Sequence, residues 1–237
     1  MTVKGLLLSA GLGTRLRPLT LNTPKCLVSI GGRILLDRWL SSLEEIGCSE
    51  TIVNTHYLSE KVEAFLLSRK PSRMKIVSKH EEQLLGTAGT LLENKNFFKN
   101  STVLLIHADN ITNFNLSKLI ECHRSRPSNC LLTMLTFETN NPSQCGIVKT
   151  NSDGIVVDFV EKSSSPPGNC ANGAIYCFDY ELITFLERLG PDINDFSNQV
   201  IPSLIGKIKA FHTNEIFLDI GTPESLDYAQ KIWTDQN

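Results

Sequence analysis

Leu8–Lys25, LSAGLGTRLRPLTLNTPK, follows directly on a short apolar run, Val3–Leu8. One loop gathers two glycines, a Thr-Arg pair, a second arginine, two prolines and a lysine. Glycines allow positive φ and let backbone N–H groups come close to a ligand. Consecutive N–H groups arranged in that way form a concave anion site. Arg15 and Lys25 add permanent positive charge where a polyphosphate would lie. A buried strand opening into such a loop predicts an α/β sheet that holds a nucleoside triphosphate.

Outward from this loop, strand and helix signals alternate. Ile34–Ile46 spaces Leu35, Leu36, Trp39, Leu40, Leu43 and Ile46 at helical intervals, with Gly47 as a stop. Thr51–Asn54 predicts a short strand, Ser59–Leu67 a helix and Lys75–Ser78 another strand. Thr102–His107 predicts a buried strand that ends in Ala108-Asp109-Asn110. This βαβαβ rhythm implies a Rossmann-like, mostly parallel sheet flanked by helices. Leu131–Phe137, Gly146–Thr150, Ile155–Val160 and Ala174–Phe178 also read as strands, and Asn151-Ser152-Asp153-Gly154 as a hairpin turn. The expectation is one mixed-sheet α/β domain over residues 1–237, with 1–130 mainly for nucleotide. Residues 131–237 then form an antiparallel extension that supplies the other half of a cleft. Pro223–Trp233 predicts a helix that either covers the sheet or meets another subunit, so a homo-oligomer stays open.

Composition narrows the class. The chain has 237 residues, 41% hydrophobic and 20% charged, as ordinary globular enzymes do. A net charge of −2 disfavours a nucleic-acid partner held by general attraction. No apolar run approaches the roughly 18 residues of a membrane span. The short apolar N-terminus runs into the glycine loop rather than a cleavage region, so it reads as a first strand and not a secretory signal. Seven cysteines without a C-x-x-C spacing imply free thiols in a reducing cytoplasm.

Ligands of open α/β sheets gather at the carboxyl ends of strands. Asp109 follows the strand 102–107, and Asp219 follows Ile216-Phe217-Leu218. Each suits a turn or a cap, but beside bound phosphates both suit Mg²⁺, which takes one or two carboxylates and fills its shell with phosphate and water oxygens. The segment GLGTRLRPLTLNTPK, residues 11–25, resembles the signature of sugar-1-phosphate nucleotidylyltransferases. The similarity continues through Leu85-Gly86-Thr87-Ala88-Gly89, Asp109, Gly146-Ile147-Val148, Phe159-Val160-Glu161-Lys162, Asn172-Gly173-Ala174-Ile175-Tyr176 and Asp219-Ile220-Gly221-Thr222-Pro223.

The resemblance implies that Leu8, Ala10, Gly11, Gly13, Thr14, Arg15, Glu81, Gly86 and Thr87 surround the nucleotide, with Arg15 and Lys25 catalytic. It implies that Asp109 and Asp219 share Mg²⁺, and that Gly146, Glu161, Lys162 and Asn172 hold the sugar phosphate. A sugar 1-phosphate is already an anionic nucleophile, so positioning and charge neutralisation are what the site must supply. Arg17 is either a phosphate contact or a solvated charge, and His107 either a packing residue or a ligand. Ala108 stands where the family commonly has glycine, and Asn172-Gly173-Ala174 reverses its more usual Asn-Ala-Gly order.

His80-Glu81-Glu82-Gln83 precede the Leu-Gly-Thr segment, where the base should be read. A carboxylate matches the two edge donors of guanine; a glutamine matches uracil or thymine. Which of Glu81 and Gln83 faces the base stays open, while the spacing resembles guanylyltransferases and favours GTP. The compact length resembles members that act on mannose 1-phosphate or D-glycero-D-manno-heptose 1-phosphate. A dehydrogenase fingerprint lacks its third glycine, because Leu16 stands there, and a P-loop lacks its Gly-Lys-Ser/Thr. A ligand-sensing or regulatory subunit is the remaining alternative, and the presence of Arg15, Lys25, Asp109 and Asp219 argues against it.

Overall fold

In a computed structural model, residues 1–234 are described. The elements run β1 (Thr2–Leu8), β2 (Ser29–Ile30), β3 (Arg33–Ile34), α1 (Leu35–Glu45), β4 (Glu50–Thr55), α2 (Ser59–Ser68) and β5 (Lys75–His80). Next come α3 (Thr87–Glu93), β6 (Ser101–His107), β7 (Asn110–Thr112), α4 (Leu116–Arg124) and β8 (Leu132–Glu138). Then follow β9 (Gly146–Thr150), β10 (Val156–Glu161), β11 (Cys170–Asp179), α5 (Tyr180–Leu189) and α6 (Ile201–Ser203). The last are β12 (Ile208–Thr213), β13 (Phe217–Asp219) and α7 (Pro223–Thr234). Two compact units interleave along the sequence. Met1–Lys4, Leu85–Leu105 and Asn115–Glu215 form the first; Gly5–Leu84, Ile106–Phe114 and the described residues 216–234 form the second.

In the first unit, β11 is the spine. It pairs antiparallel with β8 from Cys170↔Glu138 to Phe178↔Leu132 and with β9 through Ala171↔Ile147. β10 folds back antiparallel on β9, as the turn at 151–154 requires, and β12 runs parallel to β8. Helices α4 and α5 bury Leu116, Leu119, Ile120, Leu182, Ile183 and Leu186. The sheet is mixed, as expected.

In the second unit, β4 and β5 pair in parallel from Glu50↔Lys75 to Thr55↔His80. Helix α1 buries Leu35, Leu36, Trp39, Leu40 and Leu43, the stripe expected from their spacing. A two-stranded antiparallel ribbon joins β7 to β13, placing Leu218 opposite Ile111 and Asp219 opposite Asn110. Below it, Leu16, Val28, Ile30, Leu35, Ile111, Ile220, Ala229 and Trp233 form one apolar cluster. Ala229 and Trp233 belong to α7, so that helix covers its own unit with this face. No helix among the described residues is long and apolar enough to cross a membrane.

The end of α2 is tied to α1 by charge. Arg69 donates to Asp37 at 2.8 Å and to Glu44 at 2.9 Å, and Arg33 donates to Asp37 at 2.8 Å. Partial burial works to raise the Asp37 carboxyl, but the two guanidiniums outweigh it and hold it below its ordinary value. A depressed carboxylate stabilises the fold fully above its unfolded value, about pH 4, and loses that contribution as pH falls through the folded value. Asp37→Asn is therefore expected to cost about 1–2 kcal/mol at pH 7. That lowers Tm by roughly 2–8 °C for a chain of this size. Thermal unfolding from pH 7 to pH 3 checks it: the gap between variant and parent should narrow below about pH 4.

Candidate active site

The loop leaving β1 is set by a few local contacts. Gly13 has φ 61°, in the left-handed region, and its carbonyl accepts from the Leu16 N–H at 3.0 Å and the Thr20 hydroxyl at 2.7 Å. A Cβ at Gly13 would lie 3.0 Å from the Thr20 methyl, so both backbone angle and space favour glycine. Among the described residues, the N–H groups of Gly11, Leu12 and Gly13 make no hydrogen bond to the protein. They remain available to an anion. Leu8 is half-buried and Ala10 buried, which seats the start of the loop, while Thr14, Arg15 and Arg17 are exposed. Leu16 is 2% exposed and plugs the apolar cluster.

The second unit brings Arg15, Lys25, Asp109 and Asp219 together. Lys25 Nζ lies 2.5 Å from Asp109 Oδ2 and 3.5 Å from Asp219 Oδ1, and Arg15 lies 3.9 Å from Asp219 Oδ2. The β7–β13 ribbon causes the convergence, because Asp219 faces Asn110 and the Ile220 N–H donates to the Asp109 carbonyl at 3.1 Å. The Trp39 indole N–H, buried, donates to the Asn110 carbonyl at 2.9 Å and fixes the ribbon from the α1 side. Burial opposes ionisation of Asp109, but the Lys25 ammonium prevails, with help from His107, and holds the carboxyl below its ordinary range. Next to Lys25, burial pushes the Cys26 thiol up to about 12, so it stays protonated at neutral pH.

No group of three or more His, Cys, Asp or Glu side chains suited to a metal occurs among the described residues. The two aspartates supply a hard, two-carboxylate donor set gathered around one cation. That matches Mg²⁺ with a shell completed by phosphate and water, and not a metal caged by protein alone.

Glu81, also in the second unit, is 6% exposed, and its carboxylate accepts from Asn54 at 2.9 Å. Glu82 and Gln83 are exposed. Sequence reasoning did not single out Asn54, although a polar residue at the end of an otherwise apolar strand was a signal that could have.

Gly86 and Thr87 lie in the first unit. The Ala88 N–H donates to the Asn194 carbonyl at 2.9 Å, and the Thr87 hydroxyl accepts from the Phe196 N–H at 2.7 Å. These bonds dock the Leu-Gly-Thr-Ala-Gly segment on residues 194–196.

Gly146, Glu161, Lys162 and Asn172 also lie in the first unit, at the β9–β10–β11 end. Gly146 pairs with Glu161 across β9 and β10. A Cβ on Gly146 would lie 2.5 Å from both Glu161 Oε2 and the Phe159 ring, so glycine is what lets Glu161 fold over this strand. Burial pushes the Glu161 carboxyl up; Lys162, at 3.8 Å, opposes and Asp195 reinforces the rise. Lys162 is 63% exposed. The Asn172 amide donates to the Tyr176 hydroxyl at 2.8 Å, and its oxygen accepts from the Ala174 N–H at 2.9 Å. The β11–β8 register shifts between Asn172 and Tyr176, and Ala174 carries φ 51°. The Asn-Gly-Ala order therefore sits in a break of the pairing closed by its own asparagine.

The nucleotidyl transferase family model matches residues 4–236. The mannose-1-phosphate guanylyltransferase catalytic subunit beta of Drosophila pseudoobscura pseudoobscura is 30% identical over 228 residues, covering 94% of this chain and 60% of its own length. The glucose-1-phosphate adenylyltransferase of Clostridium novyi is 28% identical over 244 residues, covering 93% of this chain and 64% of its own length. The chain thus spans under two thirds of these curated relatives. The crystal structure of HddC from Yersinia pseudotuberculosis complexed with GMP-PN superposes with a TM-score of 0.80 at 26% identity, over 97% of this chain and 99% of that one. With a match over almost its whole length, an α/β fold shared with HddC and the signature loop in place, the chain belongs to the nucleotidyl transferase family.

Proposed function

We propose that the chain transfers a nucleotidyl group from a nucleoside triphosphate, GTP favoured, to a sugar 1-phosphate of the mannose or D-glycero-D-manno-heptose type, releasing pyrophosphate. One observation carries the reading: Lys25 and Arg15 meet Asp109 and Asp219 beside a loop in which, among the described residues, the Gly11, Leu12 and Gly13 N–H groups make no hydrogen bond to the protein. The guanylyltransferase relative and the GMP-PN complex of HddC support guanine. The adenylyltransferase relative keeps other bases in the test, as do UTP and dTTP. Exposed Glu82 and Gln83 are the base-facing candidates, since the Glu81 carboxylate turns to Asn54.

In this reading a phosphate oxygen of the sugar 1-phosphate forms a bond to the α-phosphorus, and the α–β bridging P–O bond breaks. The electron pair leaves with pyrophosphate, so no general base is required. The N–H groups of the loop hold the phosphates in line, and Lys25 and Arg15 offset the charge that gathers there. Asp109 and Asp219 would hold Mg²⁺, whose chemistry is Lewis-acid neutralisation of phosphate oxygens. Lys162 grips the sugar phosphate, and Glu161 accepts from sugar hydroxyls. The net charge of −2 accords with small anionic substrates and with no nucleic-acid or membrane partner, and we place the protein in the cytoplasm.

A matrix of GTP, ATP, UTP and dTTP against mannose, glucose and heptose 1-phosphates with Mg²⁺, scored by pyrophosphate release, tests the reading. GTP with a mannose-type phosphate should be turned over fastest; preference for UTP or dTTP would reject the guanylyl assignment. Lys25→Ala should lower kcat by about 10²–10³, and near-normal turnover would remove Lys25 from its role. Gly146→Ala, which forces a Cβ into Glu161 and Phe159, should raise KM for the sugar phosphate by about tenfold, a change of ~1.4 kcal/mol, while KM for the triphosphate holds.

A further inference from the structure

We infer that Asn54 is a positioning residue: by holding Ser9 and Glu81 at once, it fixes the first residue of the phosphate loop against the segment that leads to the base. The inference rests on reading residues 8–15 as the triphosphate cradle. Asn54 is 3% exposed, near the end of β4. Its Oδ1 accepts from the Ser9 N–H at 2.7 Å, and its Nδ2 donates to Glu81 Oε1 at 2.9 Å. Its carbonyl accepts from the Ser9 hydroxyl. The parallel register of β4 and β5 sets Thr55 opposite His80, and the Glu81 N–H donates to the Thr55 carbonyl at 2.8 Å, which brings Glu81 beside Asn54. The Asn54 amide accepts on one side and donates on the other, as a carboxylate in its place would not.

The same stretch of chain steadies the loop further on. The Tyr57 hydroxyl donates to the Leu21 carbonyl at 3.1 Å, and Lys61 donates to the Asn22 carbonyl. Asn54 differs from these exposed contacts in being buried and in gripping Ser9, two residues ahead of the Gly11–Gly13 N–H groups. A phosphate cradle works by arriving preformed, because displacement of its donors by even about 1 Å can cost on the order of 10² in rate. Removing the amide would leave the loop start untethered and the Glu81 carboxylate short of a donor in a buried place.

Amide hydrogen exchange of residues 9–16 in the full chain, without substrate, tests the tether, and KM values for GTP and the sugar phosphate test its consequence. Asn54→Asp keeps shape and the acceptor for Ser9 but sets a carboxylate against Glu81. It should speed exchange at 9–16 and raise KM for GTP, each about tenfold (~1.4 kcal/mol), with KM for the sugar phosphate unchanged. Adding Glu81→Gln restores a donor–acceptor pair with the roles reversed, and should return both readouts to within about threefold of the parent (~0.65 kcal/mol). Ser9→Ala, which leaves the buried pair intact, should loosen the same residues without lowering Tm. If Asn54→Asp and Ser9→Ala leave exchange at 9–16 unmoved, or the double variant is no better than Asn54→Asp, the inference is wrong. Altered and rescued exchange in a chain that turns over none of the triphosphates would uphold the tether and reject the proposed reaction instead.

Discussion

A nearly buried ammonium has to be paired, and the second unit is arranged around meeting that requirement. Lys25 is 11% exposed, and its two carboxylates come from positions 84 and 194 residues away. An isolated charge at that depth would cost several kcal/mol. The pairing is therefore a constraint on the fold as much as a feature of the site. The β7–β13 ribbon satisfies it by setting Asp219 across from Asn110, and the apolar cluster holds the ribbon and the loop to a common base. Leu16, Ile111 and Ile220 each neighbour a site residue in sequence, or stand two residues away, and all three sit in that cluster. Packing energy thus places charges that would otherwise repel or stray.

The loop, its cations and the strand-end aspartates were legible in the sequence because each is a local pattern: glycine spacing, a Thr-Arg pair, an acid after an apolar run. The strands from β1 to β11 named at the outset follow period-two or continuous apolar runs, and most fall within a residue or two of the expected bounds. Helices α4 and α5 were not anticipated, although Leu116, Leu119, Ile120 and His123 stand at helical spacing behind an Asn115 cap. Their polar interruptions and the short apolar stretches beside them hid the period. Nothing local says that β12 pairs with β8, or that residue 54 meets both 9 and 81. Those are long-range register facts, set by how strands align and not by what any window of sequence prefers.

Burial also separates residues that look equivalent in sequence. Glu81 and Gln83 are both candidates for reading a base, yet Glu81 is buried against an amide and Gln83 is exposed. Glu161 and Lys162 divide in the same way: the acid is 21% exposed and folded over Gly146, the lysine 63% exposed.

The charges of the cradle bear on what it can bind. Arg15 and Lys25 contribute +2, and Asp109 and Asp219 contribute −2, so this set of four is neutral. A neutral cluster has little long-range attraction for a triphosphate, and its backbone N–H groups supply only partial charges. On the proposed reading, a divalent cation between the aspartates would restore a net charge of +2 beside the loop and free the lysine to face phosphate. The carboxylates then set the order of demands: without the ion they compete with the substrate for Lys25 and Arg15, and with it they cease to compete. On that same reading, a site built from equal numbers of acids and bases would favour a triphosphate that brings its own cation over a bare phosphate of the same charge.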